Sequence, residues 1–164
     1  MTKFLTHFDK CYSNLAISSG YPNLPNELQS RIADIKGRVN IVFGNPLSSI
    51  WWNKGGIKSM VPYFYRLSMM KFMKKARANT NIKFWEHYQK GKTFHQKSIW
   101  CENSWENHEG EVLVRNYLTV CGSSNFSVRS YKHDLETQVW IFTSAQKAID
   151  MFEDERVRLL RHSK

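Results

Sequence analysis

The interpretation of this chain rests on TFHQK at residues 93–97 and GSSNF at residues 122–126. In the first stretch, His95 and Lys97 occupy alternate positions of a run with apolar flanks, which predicts that they share one face of a β-strand. The second stretch follows the apolar run 118–121 and predicts a turn that brings small polar groups close to an oxyanion. A histidine, a fixed cation and neutral donors are the groups needed to attack a phosphodiester. Together the stretches predict half of an active site.

Length and composition limit the class of protein. With 164 residues, 41% of them apolar, the chain is long enough for one folded domain that buries roughly two thirds of its unfolded surface. The net charge of +10 favours an anionic partner and leaves nucleic acid, acidic lipid and phosphorylated substrates open. Cys11, Cys101 and Cys121 are too widely spaced for a disulfide framework or a zinc site. We expect no transmembrane helix, since no apolar run approaches roughly 18 residues.

Apolar periodicity predicts an α/β domain with a mixed sheet flanked by helices. The predicted helices cover about 4–19, 27–36, 59–78 and 145–161, the last with Ser144 as its N-cap, and the predicted strands cover 40–44, 82–88, 93–101, 112–121 and 136–142. We expect residues 1–39 to form a helical N-terminal segment and linker. Residues 40–164 then form the unit that carries both motifs.

The two motifs resemble the phospholipase D superfamily, whose sites combine two His-x-Lys motifs across a pseudo-twofold axis. Residues 91–100, GKTFHQKSIW, are similar to the GWTFHAKGLW pattern of eukaryotic-type phosphatidylglycerophosphate synthases. Residues 122–136, GSSNFSVRSYKHDLE, resemble that family's Gly-Ser-x-Asn, Arg-Ser and Asp-Leu-Glu block. The segment KGG at 54–56 with VPYFY at 61–65 is similar to one that precedes the second motif there. The resemblance spans about residues 40–143 and implies a phospholipase D-like catalytic half-domain over 40–164.

The chain departs from the superfamily pattern at one motif position and in the spacing of 27 residues from His95 to Gly122, and it lacks one of the two motifs. Glu102 stands where the motif has an aspartate five residues after its lysine. Neither His7 nor His87 is followed by a lysine two residues later, so the first His-x-Lys motif is missing from residues 1–94. The chain therefore resembles the C-terminal half of such an enzyme, with the second motif alone.

The resemblance implies a role for each polar side chain. His95 would be one of two histidines, either the nucleophile that forms a phosphohistidine or the general acid/base. Lys97, Ser123 and Asn125 would bind the phosphoryl oxygens. Glu136 would orient the imidazole and stabilise its protonated form. A surface lysine and an ordinary β-turn are the plain alternatives for these positions.

Four further residues are expected to support the turn. Gly122 and Ser130 would shape it, and Arg129 and Asp134 would brace it as an ion pair. No metal site and no cofactor is expected. The basic, aromatic helix near 59–78 fits either an acidic membrane surface or a helix packed on the sheet with a solvated basic face.

The resemblance implies transfer of the phosphatidyl group from CDP-diacylglycerol to glycerol 3-phosphate, with release of CMP, in phosphatidylglycerol and cardiolipin biosynthesis. The implied partners are these two substrates, an acidic membrane and a second His-x-Lys half, supplied by a missing N-terminal half or by a homodimer mate; nucleic acid is not the expected partner. The implied location is mitochondrial and membrane-associated. Two alternatives stay open: a single-motif homodimeric phosphodiesterase or nuclease, and a non-catalytic copy that binds lipid.

Overall fold

A six-stranded mixed sheet organises the described chain. The computed structural model describes residues 14–106 and 112–164, with the side chains of 105, 106 and 112–114 left aside. The strands are β1 (Asn14–Ser19), β2 (Arg38–Gly44), β3 (Ile82–His87), β4 (Lys97–Glu106), β5 (Val112–Gly122) and β6 (Gln138–Thr143). The α-helices are α1 (Asn26–Ala33), α2 (Val61–Lys75), α3 (Val128–Lys132) and α4 (Gln146–Arg161), and 3-10 turns cover Pro46–Ser48 and Gly56–Met60. The predicted α/β class is confirmed.

The strand order is β3-β2-β1-β4-β5-β6, with β1 and β4 at the centre. The first three strands are parallel, and α1 and α2 form the crossovers between them. The remaining strands pair antiparallel as β1 with β4, β4 with β5 and β5 with β6. As a result, β1, β2 and β5 end at the same edge of the sheet at which β4 and β6 begin.

Each face of the sheet is covered by helices. The larger core lies on the α1 and α2 side, where Ile32 and Phe72 pack against strand residues such as Ile41 and Val120. The smaller core lies on the other side and joins α4 to the sheet through Ile149. The result is three layers, with the site-bearing ends of the strands at one edge.

The N-terminal helix expected over 4–19 is wrong for residues 14–19, which form β1; its first ten residues lie outside the described part of the chain, as does Cys11. Leu15, Ala16 and Ile17 are all buried, because a central strand is covered on both faces. Such a strand lacks alternation and is easily mistaken for a helix. The expected boundary after residue 39 falls inside β2, and β1 shares one sheet with the strands that follow.

Two smaller expectations also need correction. Residues 93–96 precede β4 instead of belonging to it, so His95 lies in a connecting segment and Lys97 is the first residue of the strand. Helix α4 begins at Gln146 with Ala145 in the capping position, and no side chain caps it. Thr143 Oγ1 accepts a hydrogen bond from the Ala145 amide at 3.1 Å, a local turn that replaces the predicted Ser144 cap.

Candidate active site

The predicted site residues gather at the edge of the sheet where β1 and β5 end and β4 and β6 begin. Ser19 lies opposite Lys97 in the β1–β4 pairing, and Gly122 lies opposite Gln138 in the β5–β6 pairing. Ser98 lies opposite Cys121, which joins the two pairs into one row across four strands. The motifs 93–97 and 122–126, distant in sequence, are therefore neighbours in the fold.

His95 is held by its neighbours in the chain. Phe94 is buried and stacks on His87 with ring centroids 4.3 Å apart, and its amide donates to the Ser48 carbonyl at 2.8 Å. On the other side of His95, the Gln96 carbonyl accepts from the Gly20 amide at 3.0 Å. The imidazole itself is exposed, with the Tyr21 ring edge-on to it at 6.1 Å. The backbone is fixed while the ring stays accessible.

Lys97 is buried, although it is charged. Its Nζ donates to the His95 backbone carbonyl at 3.1 Å, which ties the cation to the histidine segment. Burial lowers the pKa of Lys97, and the Glu136 carboxylate partly opposes that shift. The pKa of His95 is lowered by partial burial and then by the nearby Lys97 ammonium. The lowered pKa of His95 favours its neutral imidazole, which lies near the Lys97 ammonium, and the Glu136 carboxylate acts on that ammonium in turn.

Glu136 lies in the site but in a different position from the expected one. Its carboxylate accepts a hydrogen bond from Ser123 Oγ, which also accepts from the Thr137 amide at 3.0 Å. Within the described part of the chain, its hydrogen bond is to this hydroxyl and not to the His95 imidazole. Glu136 thus fixes the turn and balances the charge of Lys97.

Asn125 is anchored by its backbone. Its carbonyl accepts from Ser19 Oγ at 2.6 Å, and its amide lies 3.4 Å from Ser130 Oγ. Ser127 caps α3 by accepting from the Ser130 amide, so the serines after Asn125 stabilise the turn. Asn125 Oδ1 is buried with no hydrogen-bond partner among the described residues. It is an acceptor, so binding of phosphoryl oxygens by this side chain would use the Nδ2 donor.

The remaining predicted residues surround this centre. Arg129 and Asp134 form the expected ion pair, with Nε and Oδ1 3.1 Å apart. The same two charges act on Tyr65. Burial raises the pKa of Tyr65, and the Arg129 guanidinium opposes this rise. Tyr65 lies 5.4 Å from the Tyr21 ring, which extends an aromatic wall beside the histidine.

Glu102, in the position of the superfamily aspartate, lies farther along β4 and away from this edge. It accepts from Arg115 Nε at 2.5 Å and from Asn14 Nδ2 at 3.0 Å, so its contacts are structural. Among residues 14–106 and 112–164, no group of three histidine, cysteine or acidic side chains has the arrangement of a metal site.

Sequence reasoning missed Ser19, although it joins the two motifs. The signal was the SSG run at 18–20, which we interpreted as the end of a helix. A polar Ser-Ser-Gly at the end of an apolar run also fits the end of a buried strand, where a hydroxyl can bond a neighbouring loop. The contact spans 106 positions of sequence and cannot be derived from local pattern.

We expect Ser19→Ala to destabilise the fold by about 1–3 kcal/mol and to loosen Asn125, because it leaves the Asn125 carbonyl without its donor. Ser18→Ala is the matched control: Ser18 is equally buried, and its hydroxyl has no hydrogen-bond partner among the described residues, so its loss costs little. Urea denaturation of both variants measures the difference. Equal destabilisation by the two substitutions would contradict the anchoring role of Ser19.

Comparisons with known proteins find similar sequences over most of the chain. No family model matches the chain. The chain is 25% identical over 154 residues to the CDP-diacylglycerol–glycerol-3-phosphate 3-phosphatidyltransferase of Schizosaccharomyces pombe, which matches 92% of this chain and 29% of that protein. It is 25% identical over 150 residues to the human mitochondrial protein of the same name, with 90% and 26% covered.

Solved structures extend the likeness to the fold. Phosphatidylserine synthase from Haemophilus influenzae Rd KW20 superimposes with a TM-score of 0.78 at 20% identity, covering 98% of this chain and 35% of that one. Nuc from Salmonella typhimurium, a phospholipase D family member, gives a TM-score of 0.57 at 14% identity, covering 99% and 88%. The chain has a phospholipase D-like fold. This phospholipase D-like domain is distantly related in sequence to phosphatidyltransferases and spans less than a third of the curated relatives it matches.

Proposed function

We propose that this chain supplies the second His-x-Lys half of a site that transfers the phosphatidyl group from CDP-diacylglycerol to glycerol 3-phosphate. The observation that carries the proposal is the row of His95, Lys97, Ser123 and Glu136 at one edge of the sheet, with Asn125 anchored beside it. The named activity of the sequence relatives supports the choice of substrates.

The reaction is two displacements at one phosphorus atom. A histidine nitrogen attacks the phosphorus of the phosphatidyl group, the bond to the CMP oxygen breaks, and CMP leaves with a proton from the second histidine. The hydroxyl of glycerol 3-phosphate then gives its proton to the second histidine and attacks the phosphorus. The phosphorus–nitrogen bond breaks, which frees the first histidine and releases phosphatidylglycerophosphate. The Lys97 ammonium would stabilise the charge on the phosphoryl oxygens at both steps, with Asn125 and with Ser123, whose one hydroxyl proton would turn from Glu136 to the substrate.

The protonation state of His95 supports its role as a proton acceptor. Burial and Lys97 lower its pKa, so the imidazole is neutral near pH 7. A neutral imidazole is ready to attack phosphorus or to accept the acceptor's proton. Serving as the acid for CMP would require protonation against the same two effects.

A complete site requires a second histidine, and β6 is a suitable place for another half to pack. It is an edge strand that begins two residues after Glu136, and Val139 and Phe142 are exposed to 54% and 69%. Exposed apolar side chains on an edge strand favour association. We propose that the other half, from the same protein or from a second copy, covers this edge.

A second candidate is a homodimeric phosphodiesterase or nuclease. It is favoured by the likeness to Nuc, since this chain covers 88% of that protein, unlike the small fraction of the phosphatidyltransferases. The net charge of +10 suits a nucleic-acid substrate. A mitochondrial, membrane-associated location belongs to the first candidate, and the name of the human relative supports the mitochondrial part of it.

The deciding experiment incubates the chain with CDP-diacylglycerol and glycerol 3-phosphate in mixed detergent micelles and follows CMP release against protein concentration. We expect release that rises faster than linearly and that His95→Ala abolishes, because two copies would supply the two histidines. A parallel assay replaces the lipid with single-stranded and duplex DNA.

The outcomes distinguish a phosphatidyltransferase half, a nuclease and a non-catalytic copy. Hydrolysis of DNA with no CMP release would favour the nuclease and overturn our proposal. CMP release that His95→Ala leaves intact would overturn the site. If neither substrate reacts, co-expression of the chain with the N-terminal half of a relative tests the half-site: His95-dependent release then supports the proposal, and continued inactivity supports a non-catalytic copy.

A further inference from the structure

The net charge of the chain is concentrated in one continuous segment. Residues 35–85 contain ten lysines and arginines and no acidic residue, while the remaining 113 residues carry fourteen charges of each sign. The whole excess of +10 therefore lies in the segment that forms β2, α2 and most of β3, with the connections between them. Residues 59–78, predicted as a basic helix, hold five of these ten cations.

The same segment exposes large apolar side chains. Helix α2 buries Pro62, Met69 and Phe72 against the sheet, which accounts for its core face. Its opposite face is also apolar: Phe64 is 59% exposed and Leu67 52%, and Ile57 in the preceding turn is 83% exposed. A helix that is apolar on both faces within one domain has a second partner.

These side chains form what we call the apolar–basic surface. Its apolar members are Trp52, Ile57, Met60, Phe64, Leu67 and Met70, and its cations are Lys54, Lys58, Lys71, Lys74 and Lys75. Positions 64, 67, 71 and 74 follow helical spacing, so the aromatic and aliphatic residues continue directly into the lysines of the last turn. Lys71, Lys74 and Lys75 are all exposed.

We propose that the apolar–basic surface docks on an anionic lipid bilayer, with the apolar side chains in the acyl boundary and the lysines on lipid phosphates. Apolar residues on one face beside a row of cations are the pattern of a segment that lies in the plane of the interface. None of the helices in residues 14–106 and 112–164 is long and apolar enough to cross a membrane. The inference deepens the proposed function, since it names the surface that would meet the lipid substrate.

The positive charge and the exposed apolar side chains of this surface together disfavour nucleic acid and a second copy of the chain as its partner. Nucleic acid would pair with the lysines but would leave Ile57, Phe64 and Leu67 against a polar backbone. A second copy of this chain would bring two segments of the same positive charge together, which costs free energy. Only a partner that is both anionic and apolar satisfies both parts of the surface.

The surface lies next to the candidate site. Pro62, which precedes its exposed helical residues, lines a shallow depression together with Tyr21 and Phe94, the residue before His95. The Trp52 ring lies 6.2 Å from the Tyr63 ring at the beginning of α2. The β6 edge lies at the opposite side of the sheet, so bilayer docking leaves the proposed half interface free.

The test measures binding of the chain to vesicles of phosphatidylglycerol and phosphatidylcholine, and to phosphatidylcholine alone, by flotation. We expect Phe64→Gln with Leu67→Gln to weaken binding to the anionic vesicles about tenfold or more, and Lys74→Gln with Lys75→Gln to weaken it about fivefold for each cation removed. Met151→Gln with Val157→Gln, which replaces exposed apolar residues of α4, and Lys132→Gln with Lys147→Gln, which removes the same net charge elsewhere, should bind as the unaltered chain does.

The outcomes separate this inference from the proposed reaction. Weakened binding in both surface variants with normal binding in both controls supports the surface. Unchanged vesicle binding by the variant with Phe64→Gln and Leu67→Gln would overturn the inference. Preference of the chain for duplex DNA over vesicles would assign the cations to nucleic acid. Failure of the folded chain to bind anionic vesicles would also overturn it. CMP release in detergent micelles without vesicle binding would preserve the reaction and reject the surface. Vesicle binding without CMP release, both alone and on co-expression with the N-terminal half of a relative, would support the surface and reject the reaction.

Discussion

Replacing Lys97 with glutamine is expected to lower His95-dependent CMP release about a hundredfold to a thousandfold, the effect of losing one preorganised stabiliser of transition-state charge. Lys97 is buried at the start of β4, where the Glu136 carboxylate and the His95 carbonyl hold it in place. A cation already desolvated in the free protein needs little reorganisation during the reaction. Glutamine keeps a donor of similar length and removes the charge.

The same substitution should raise the pKa of His95, because the ammonium disfavours the imidazolium. A base with a raised pKa is protonated at a higher pH, so the acid limb of the rate profile moves upward in Lys97→Gln. Titration of the imidazole by NMR, assigned with His95→Gln, gives a readout that does not require activity. Lys147→Gln on α4 removes an exposed charge as control, and an unchanged His95 pKa in Lys97→Gln would contradict the coupling.

The motifs predicted the candidate site better than they predicted its environment. Residues 93–97 and 122–126 were expected to converge, and the sheet brings them into one row. That expectation was available from sequence because both motifs carry polar residues beside apolar runs, which marks the ends of strands. The α/β class followed from the same alternation of strands and helices.

The sequence-based predictions that were wrong concern features that depend on long-range packing. β1 was taken for a helix because Leu15 to Ile17 are buried from both sides, and a strand covered by two helical layers shows no alternation. Glu136 was expected at His95, but the close approach of β5 and β6 brings it to Ser123 instead. Which carboxylate meets which partner depends on strand pairing that a single sequence does not reveal.

The double apolar face of α2 was difficult to recognise for a related reason. Apolar residues occur all around this helix, a pattern that usually indicates complete burial. The structure instead buries Met69 and Phe72 and exposes Phe64 and Leu67. Sequence therefore predicted a helix here, and only the position of the helix at the surface of the sheet reveals an unpartnered face.

Gly122→Ala is expected to cost about 3 kcal/mol or more, through a backbone clash instead of a strained dihedral angle. A Cβ at this position would lie 2.2 Å from the Thr137 carbonyl oxygen and 2.8 Å from the Gln138 Cα. Both atoms belong to the backbone at the start of β6, so no side-chain rotation relieves the overlap. The free energy of unfolding, measured by urea denaturation, reports the cost.

Gly91→Ala is the control, since its φ of +75° strains any other residue while no atom lies within 4 Å of the added Cβ. It should cost about 1 kcal/mol. Equal costs for the two substitutions would contradict the close approach of β5 and β6 at Gly122. Because Ser123 is the next residue and its hydroxyl donates to Glu136, separating these strands also displaces Glu136, the carboxylate that balances Lys97. Stability and CMP release should therefore fall together in Gly122→Ala, whereas Lys97→Gln loses release by removing a charge.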